Sequence, residues 1–261
     1  MNIGQVLINR FVMRNFSKYK LVLPALFFMI FVGSCKQDDY YVDGGLANAN
    51  FEGSIMDYLD AKPREFDSIA TIIRLAGLEE EFKNREFTFF APRDENIKKL
   101  IGLARKDMNS DPSGVNEVLY FFGRDTISTL ADVDSVIWRK YLQRYMFNDK
   151  RKLADYPQID FDLLNIYKGQ NYTSLGNAVC NIGVKFHDAV DGETILKYMG
   201  YRQLYISYIR DVSQPNNWFS IPIASSDIQP TNGVVHVLDY TRAQFGYRQD
   251  EIMNDILESK R

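Results

Sequence analysis

Few side chains in this 261-residue sequence belong to the types that do covalent or acid–base chemistry, and their spacing limits what each can do. His187 and His236 are the only histidines, and neither has a Cys or carboxylate at the spacing a zinc site needs. His236 lies in an apolar, β-favouring run, which reads as a hydrogen-bonded structural histidine. Cys180, in Ala178-Val179-Cys180-Asn181, reads as a small buried hydrophobe, because a catalytic thiol needs an activating base and none accompanies it. Glu79-Glu80-Glu81 reads as a solvated helix end; as a glycosidase dyad nothing frames it. No G-x-S-x-G elbow, P-loop or dinucleotide fingerprint is present. The reading is therefore no catalytic residue, no metal and no cofactor. What remains is aromatic. Tyr198, Tyr201, Tyr205 and Tyr208 surround a strand-like run, and Trp218-Phe219 follow the polar turn Ser213-Gln214-Pro215-Asn216-Asn217. Trp218, Phe219, Tyr205 and Tyr208 form the candidate binding surface, led by Trp218 as the kind of residue that anchors interfaces. At a period of two, Tyr205 and Tyr208 fall on opposite faces, so part of this set must be core.

The elements that would position these residues belong to an ordinary globular chain, with 46% hydrophobic and 25% charged residues. A net charge of -3, without a basic stripe, argues against a nucleic-acid partner. Two cysteines do not make a disulfide scaffold, so the core must come from burial. At the amino terminus, Arg10, Arg14, Lys18 and Lys20 precede the apolar run Leu21 to Val32. That run is roughly 12 residues, short of the ~20 that cross a bilayer, and reads as a signal-peptide core. Val32-Gly33-Ser34-Cys35 then resembles the lipobox of bacterial lipoproteins, with Val32 in place of the commoner Leu. The resemblance implies cleavage after residue 34, acylation of Cys35 and anchoring through the lipid rather than a spanning helix. Lys36-Gln37-Asp38-Asp39 resembles the acidic tag of surface-exposed lipoproteins and implies the outer face of a bacterial outer membrane. Residues 35–50 read as a tether.

The folded part starts near Phe51. Ser54-Ile55-Met56-Asp57 predicts a capped helix, and Phe66, Ile69, Ile73 and Ala76, stopped by Gly77, predict an amphipathic one. Phe87-Thr88-Phe89-Phe90 predicts a strand that turns at Ala91-Pro92 into a helix carrying Ile97, Leu100, Ile101 and Ala104. Both faces of that strand are apolar, as in a sheet covered on both sides. Ile137, Tyr141 and Tyr145 mark a third helix; Leu163 to Tyr167, Val179 to Phe186, Gln203 to Ile209, Phe219 to Ala224 and Val234 to Leu238 read as strands. Helices early and strands late give an α+β class with a mixed or antiparallel sheet.

Two segments carry a family resemblance. Thr88-Phe89-Phe90-Ala91-Pro92-Arg93-Asp94-Glu95 and Thr231-Asn232-Gly233-Val234-Val235-His236-Val237-Leu238-Asp239 resemble the opening and closing signatures of fasciclin domains, with Asp227-Ile228 and the Gly77-Leu78 helix end in matching order. The resemblance implies one fasciclin-like domain over residues 51–242, helices packed on the sheet, with insertions near Arg105 to Asp134 and between Asn165 and Asp211. Residues 243–261 are then a polar C-terminal helix or tail. The family's Tyr-His adhesion pair corresponds to Tyr145-Met146, without the histidine. The implied function is non-catalytic: adhesion, or binding of polysaccharide or an outer-membrane or extracellular protein. An accessory lipoprotein of a nutrient-uptake complex is the alternative, and a membrane-attached hydrolase the more distant one.

Overall fold

The computed structural model describes residues 49–103, 114–214 and 218–261, which lie in one compact unit, Asn48–Arg261. Cys35 and the leader lie outside the described residues. The unit opens with helix α1 (Ile55–Asp60), whose capping box is the one expected: the Ser54 hydroxyl accepts from the Asp57 amide at 3.2 Å, and the Asp57 carboxylate accepts from the Ser54 amide at 2.8 Å. Helix α2 (Pro63–Leu75) follows, with proline at its first turn and Phe66, Ile69 and Ile73 buried; past Gly77 the Leu78 amide closes it on the Ile73 carbonyl. Helix α3 (Glu79–Asn84) leads into strand β1 (Phe87–Ala91), and helix α4 (Asp94–Ile101) leaves it.

Helices α5 (Val115–Phe121) and α6 (Ser135–Leu142) and strand β2 (Met146–Asn148) come next. Beyond them lie β3 (Gln158–Ile159), β4 (Gln170–Thr173), β5 (Val179–Phe186), a hairpin of β6 (Ala189–Asp191) with β7 (Thr194–Leu196), β8 (Arg202–Ile209), β9 (Trp218–Ile228), β10 (Gly233–Leu238) and helix α7 (Gln249–Ser259). One mixed sheet runs β2-β1-β10-β9-β8-β5-β3, with β4 also on β5. The class is α+β.

The joint that closes it is the parallel pairing of β1 with β10, Phe87 against Gly233 through Ala91 against Val237. Phe87 and Phe89 meet Phe82 of α3 edge-on at 5.1 and 4.9 Å on one side. On the other side Phe90 meets Phe147 and His236. All five β1 residues are buried, as the two apolar faces required.

Two expectations need correction. Leu163 to Tyr167 is not a strand: the Leu163 amide folds back on the Asp160 carbonyl and the Tyr167 amide on the Leu163 carbonyl, so tight turns consume the ladder groups. The strand of this region is β4, whose Gln170, Asn171 and Thr173 are exposed and carry no apolar period. The third helix stops at Leu142, and Tyr145 closes a single 3₁₀ turn behind it.

Asn232 joins three elements with one amide. Its Oδ1 accepts from the Ile55 amide at 2.8 Å, and its Nδ2 donates to the Phe82 and Arg85 carbonyls, each at 3.0 Å. Asn232→Ala strands one buried donor and two acceptors, so a loss of about 3 kcal/mol is expected. Urea unfolding followed by the fluorescence of the fully buried Trp138 measures it; an unchanged midpoint would show that the amide is dispensable.

Candidate functional site

The candidate aromatic residues sit on β8 and β9, and strand parity sorts them. Tyr208 pairs with Phe219, and Ile209 pairs with Trp218. Side chains alternate along a strand, so Tyr208 and Phe219 share one face while Tyr205 and Trp218 share the other. The expected four-residue surface is therefore split in two.

The inner pair belongs to the packing. Tyr208 is 8% exposed and stacks on the buried Tyr247 at 5.4 Å. Arg144 lies 5.4 Å from the Tyr208 ring and 4.4 Å from that of Tyr141, and its Nη1 donates to Glu251 of α7 at 2.7 Å. This pair, mostly sheltered from solvent, fastens the C-terminal helix to the sheet together with the buried Ile252 and Ile256. Phe219 packs against the core and borders a groove with Val118, Met253 and Leu257. Cys180 stands in the same cross-strand row, paired with Tyr208, and burial pushes its thiol up to about 12, far from a nucleophile.

The outer face carries something the sequence reading missed. Asn171 of β4 pairs with Asn181 of β5, Asn181 with Ser207 of β8, and Ser207 with Ser220 of β9. Four polar side chains thus cross four strands in one row. Asn181 Nδ2 donates to Asn171 Oδ1 at 2.8 Å and to the Lys168 carbonyl at 3.0 Å, and the Ser207 and Ser220 hydroxyls hydrogen bond at 2.8 Å. Asn181 is 4% exposed, and its Oδ1 accepts no hydrogen bond. Trp218 is half-buried one row further along the same face, in the row Thr173, Val179, Ile209. A cavity of about 500 Å³ opens there, lined by Trp218, Asn171, Asn181, Gln170, Gly169 and Lys168, with Leu164. Gly169 has φ +64, and a Cβ on it would run into Asn181 Oδ1, so only glycine keeps this wall in place. Tyr205 stands on this face as well, edge-on to Phe161 at 5.1 Å, away from the cavity lining. The signal in the sequence was Asn181 and Ser207, each polar inside an apolar run.

The other candidates for chemistry are engaged in structure. His236 is fully buried; its Nε2 hydrogen donates to the Arg151 carbonyl at 2.9 Å, and its Nδ1 accepts from the Asp227 amide at 3.3 Å. Asp227 holds φ +62 at the bulge of β9 and accepts from the Leu153 amide at 2.7 Å. Glu81, in the first turn of α3, pairs with Arg139 at 3.0 Å. Tyr145 is fully buried, its hydroxyl accepting from the Gly246 and Tyr247 amides and donating to the Gln244 carbonyl. Among the described residues no group of three or more His, Cys, Asp or Glu side chains could hold a metal, and no helix is long and apolar enough to cross a membrane.

His236, Asp227 and the β1–β10 pair are thus the framework on which the two signature segments converge, and a fasciclin-domain profile matches residues 64–241. The chain belongs to the fasciclin domain family. Among solved structures it is similar to a fasciclin domain pair of the insect cell adhesion molecule fasciclin I, at 18% identity and a TM-score of 0.43, over 72% of this chain and 50% of that one. The chain therefore spans half the length of that domain pair. No curated protein matches it significantly.

Burial holds His236 neutral, with its pKa lowered from 6.5 to about 4. Above pH 6.5 neither folded nor unfolded fasciclin domain carries this proton. Between pH 6.5 and about 4 the unfolded chain binds it and the native state does not, so stability falls across that window by about 3 kcal/mol. Urea unfolding of the wild type and of His236→Gln at pH 7 and pH 4.5 measures it: the stability gap between them should shrink at the lower pH. A gap independent of pH would mean that His236 is not held neutral.

Proposed function

We propose that this fasciclin-domain protein is a lipid-anchored, non-catalytic binding module on the outer surface of a bacterial outer membrane, acting in adhesion or in attachment to a polysaccharide or protein partner. The observation that carries the reading is how the reactive side chains are used. His236, Cys180, Glu81 and Tyr145 are each committed to backbone, ion-pair or core contacts, while the solvent-facing cavity on the sheet is built from three amides, a glycine, a leucine, a tryptophan and a single lysine with no acid or histidine beside it among the described residues. Groups of that kind recognise a ligand and do not turn it over. The anchoring part of the proposal rests on the lipobox-like segment ending at Cys35 and the acidic tag behind it.

Cys35→Ala is expected to move the protein from the membrane fraction to the soluble fraction and to abolish incorporation of labelled palmitate. Protease added to intact cells should degrade the wild type. Unchanged fractionation of Cys35→Ala would remove the anchor, and protection of the wild type in intact cells would place it on the inner face instead.

A further inference from the structure

The cavity beside Trp218 has a composition specific enough to name a ligand class, an inference that rests on the binding reading above. We infer that it binds a pyranose unit of a neutral polysaccharide. A pyranose presents an apolar face of C–H groups and a rim of hydroxyls that both donate and accept. The cavity offers the complement of each. Trp218, half-buried at the start of β9, supplies a flat apolar wall, with Leu164 the other large apolar side chain among the described lining residues. The amides of Asn171 and Gln170 supply paired donors and acceptors, and both side chains are exposed.

The amide geometry is set in advance. Asn171 Oδ1 is taken by Asn181 Nδ2 at 2.8 Å, which turns the Asn171 NH₂ outward as a donor. Asn181 in turn is fixed by the Lys168 carbonyl and buried at 4% exposure, and its Oδ1 is left as an acceptor without a partner. That oxygen is shielded from solvent under Gly169, so Asn181 acts on a ligand through the orientation it imposes on Asn171. Among the described lining residues none is acidic, and Lys168 alone carries a charged side chain. The site lacks the clustered cations that select phosphate or sulfate, which favours an uncharged sugar. A cavity of about 500 Å³ accommodates a ring and part of its neighbours.

The chain itself supplies the reporter. Of its two tryptophans, Trp138 is fully buried with its Nε1 hydrogen on the Leu130 carbonyl at 2.9 Å, so acrylamide quenches Trp218 selectively. The test uses the full-length protein in a detergent without a sugar headgroup, titrated with maltohexaose, cellohexaose, xylohexaose and mannohexaose. At least one of these should shield Trp218 from acrylamide and give a calorimetric isotherm. Trp218→Ala should weaken that isotherm about 30-fold and Asn171→Ala about tenfold, whereas Phe219→Ala, on the opposite face, should change it less than about twofold. Urea midpoints equal to wild type separate lost binding from lost folding. If Trp218→Ala unfolds, Asn171→Ala and the shielding of wild-type Trp218 carry the test. Binding that survives Trp218→Ala or Asn171→Ala in folded protein would overturn this site and leave the binding reading standing. Shielding by none of the hexasaccharides, or by a peptide pool alone, would overturn the ligand class. Failure of the binding reading itself would show separately, as turnover of an oligosaccharide in the same cell.

Discussion

A parallel strand pair formed from two segments far apart in the chain is the constraint on which the rest of this domain depends. Parallel neighbours cannot be joined by a tight turn, so everything between β1 and β10 has to be arranged around their contact. The contact is very close at its start. A Cβ on Gly233 would strike the Phe87 carbonyl oxygen and the Ile55 side chain, so the strand entrance admits glycine alone. The residue before it, Asn232, then satisfies the backbone ends of α1 and α3 in one stroke. Local sequence chemistry at Asn232-Gly233 thereby fixes long-range topology, and loop-closure entropy is overcome by burial of β1 on both faces.

The second consequence is a division of labour along β9. Its distal part, from Ile223 to Ile228, pairs with β10, and its proximal part, from Trp218 to Pro222, pairs with β8. Pro222 stands at the changeover, where its carbonyl still accepts from the Asp239 amide and its missing N–H costs nothing to the β10 ladder. The framework half of the sheet is buried on both sides around β1. The half made of β4, β5, β8 and β9 has its inner face closed by Tyr247, Arg144 and α7, and its outer face is left to the polar row and the Trp218 cavity. The face proposed for binding is thus positioned by a strand that is anchored in the framework.

Legibility in the sequence follows the same division. The helix under Phe66 and Ile73, the Ser54 capping box, the apolar β1 and the Asn232-Gly233 entrance were readable because each depends on residues close in sequence with one dominant physical cause. The buried neutral His236 was readable too, since an isolated histidine in an apolar strand has few other uses. The outer face was not. Asn171, Asn181, Ser207 and Ser220 are neighbours only through strand register, which period-two reasoning cannot supply across separate strands. Trp218 and Phe219 read as one patch because the expected strand began at Phe219; β9 begins at Trp218, so the two adjacent residues lie on opposite faces. The turns at Leu163 to Tyr167 misled because apolar content outweighed the Asp160 carbonyl and carboxylate that organise them.

A polar row across a sheet asks for a reason, because an apolar row of the same shape would pack with fewer demands. Satisfaction is nearly complete: two serines serve each other, and Asn181 serves Asn171 and the Lys168 carbonyl. What such a row provides that an apolar one does not is orientation. Each amide is held in one rotamer and one flip by the next, so the outermost member, Asn171, meets solvent with its donor direction already chosen. Gly169, kept in a left-handed conformation above Asn181, maintains the loop at the distance this ladder requires. The cost of ordering these amides is therefore met when the sheet forms, which is the condition under which a shallow site such as the one proposed can bind usefully. The row and the cavity are in that sense one device, and the parallel closure of β1 on β10 is what holds the strands in the register that assembles it.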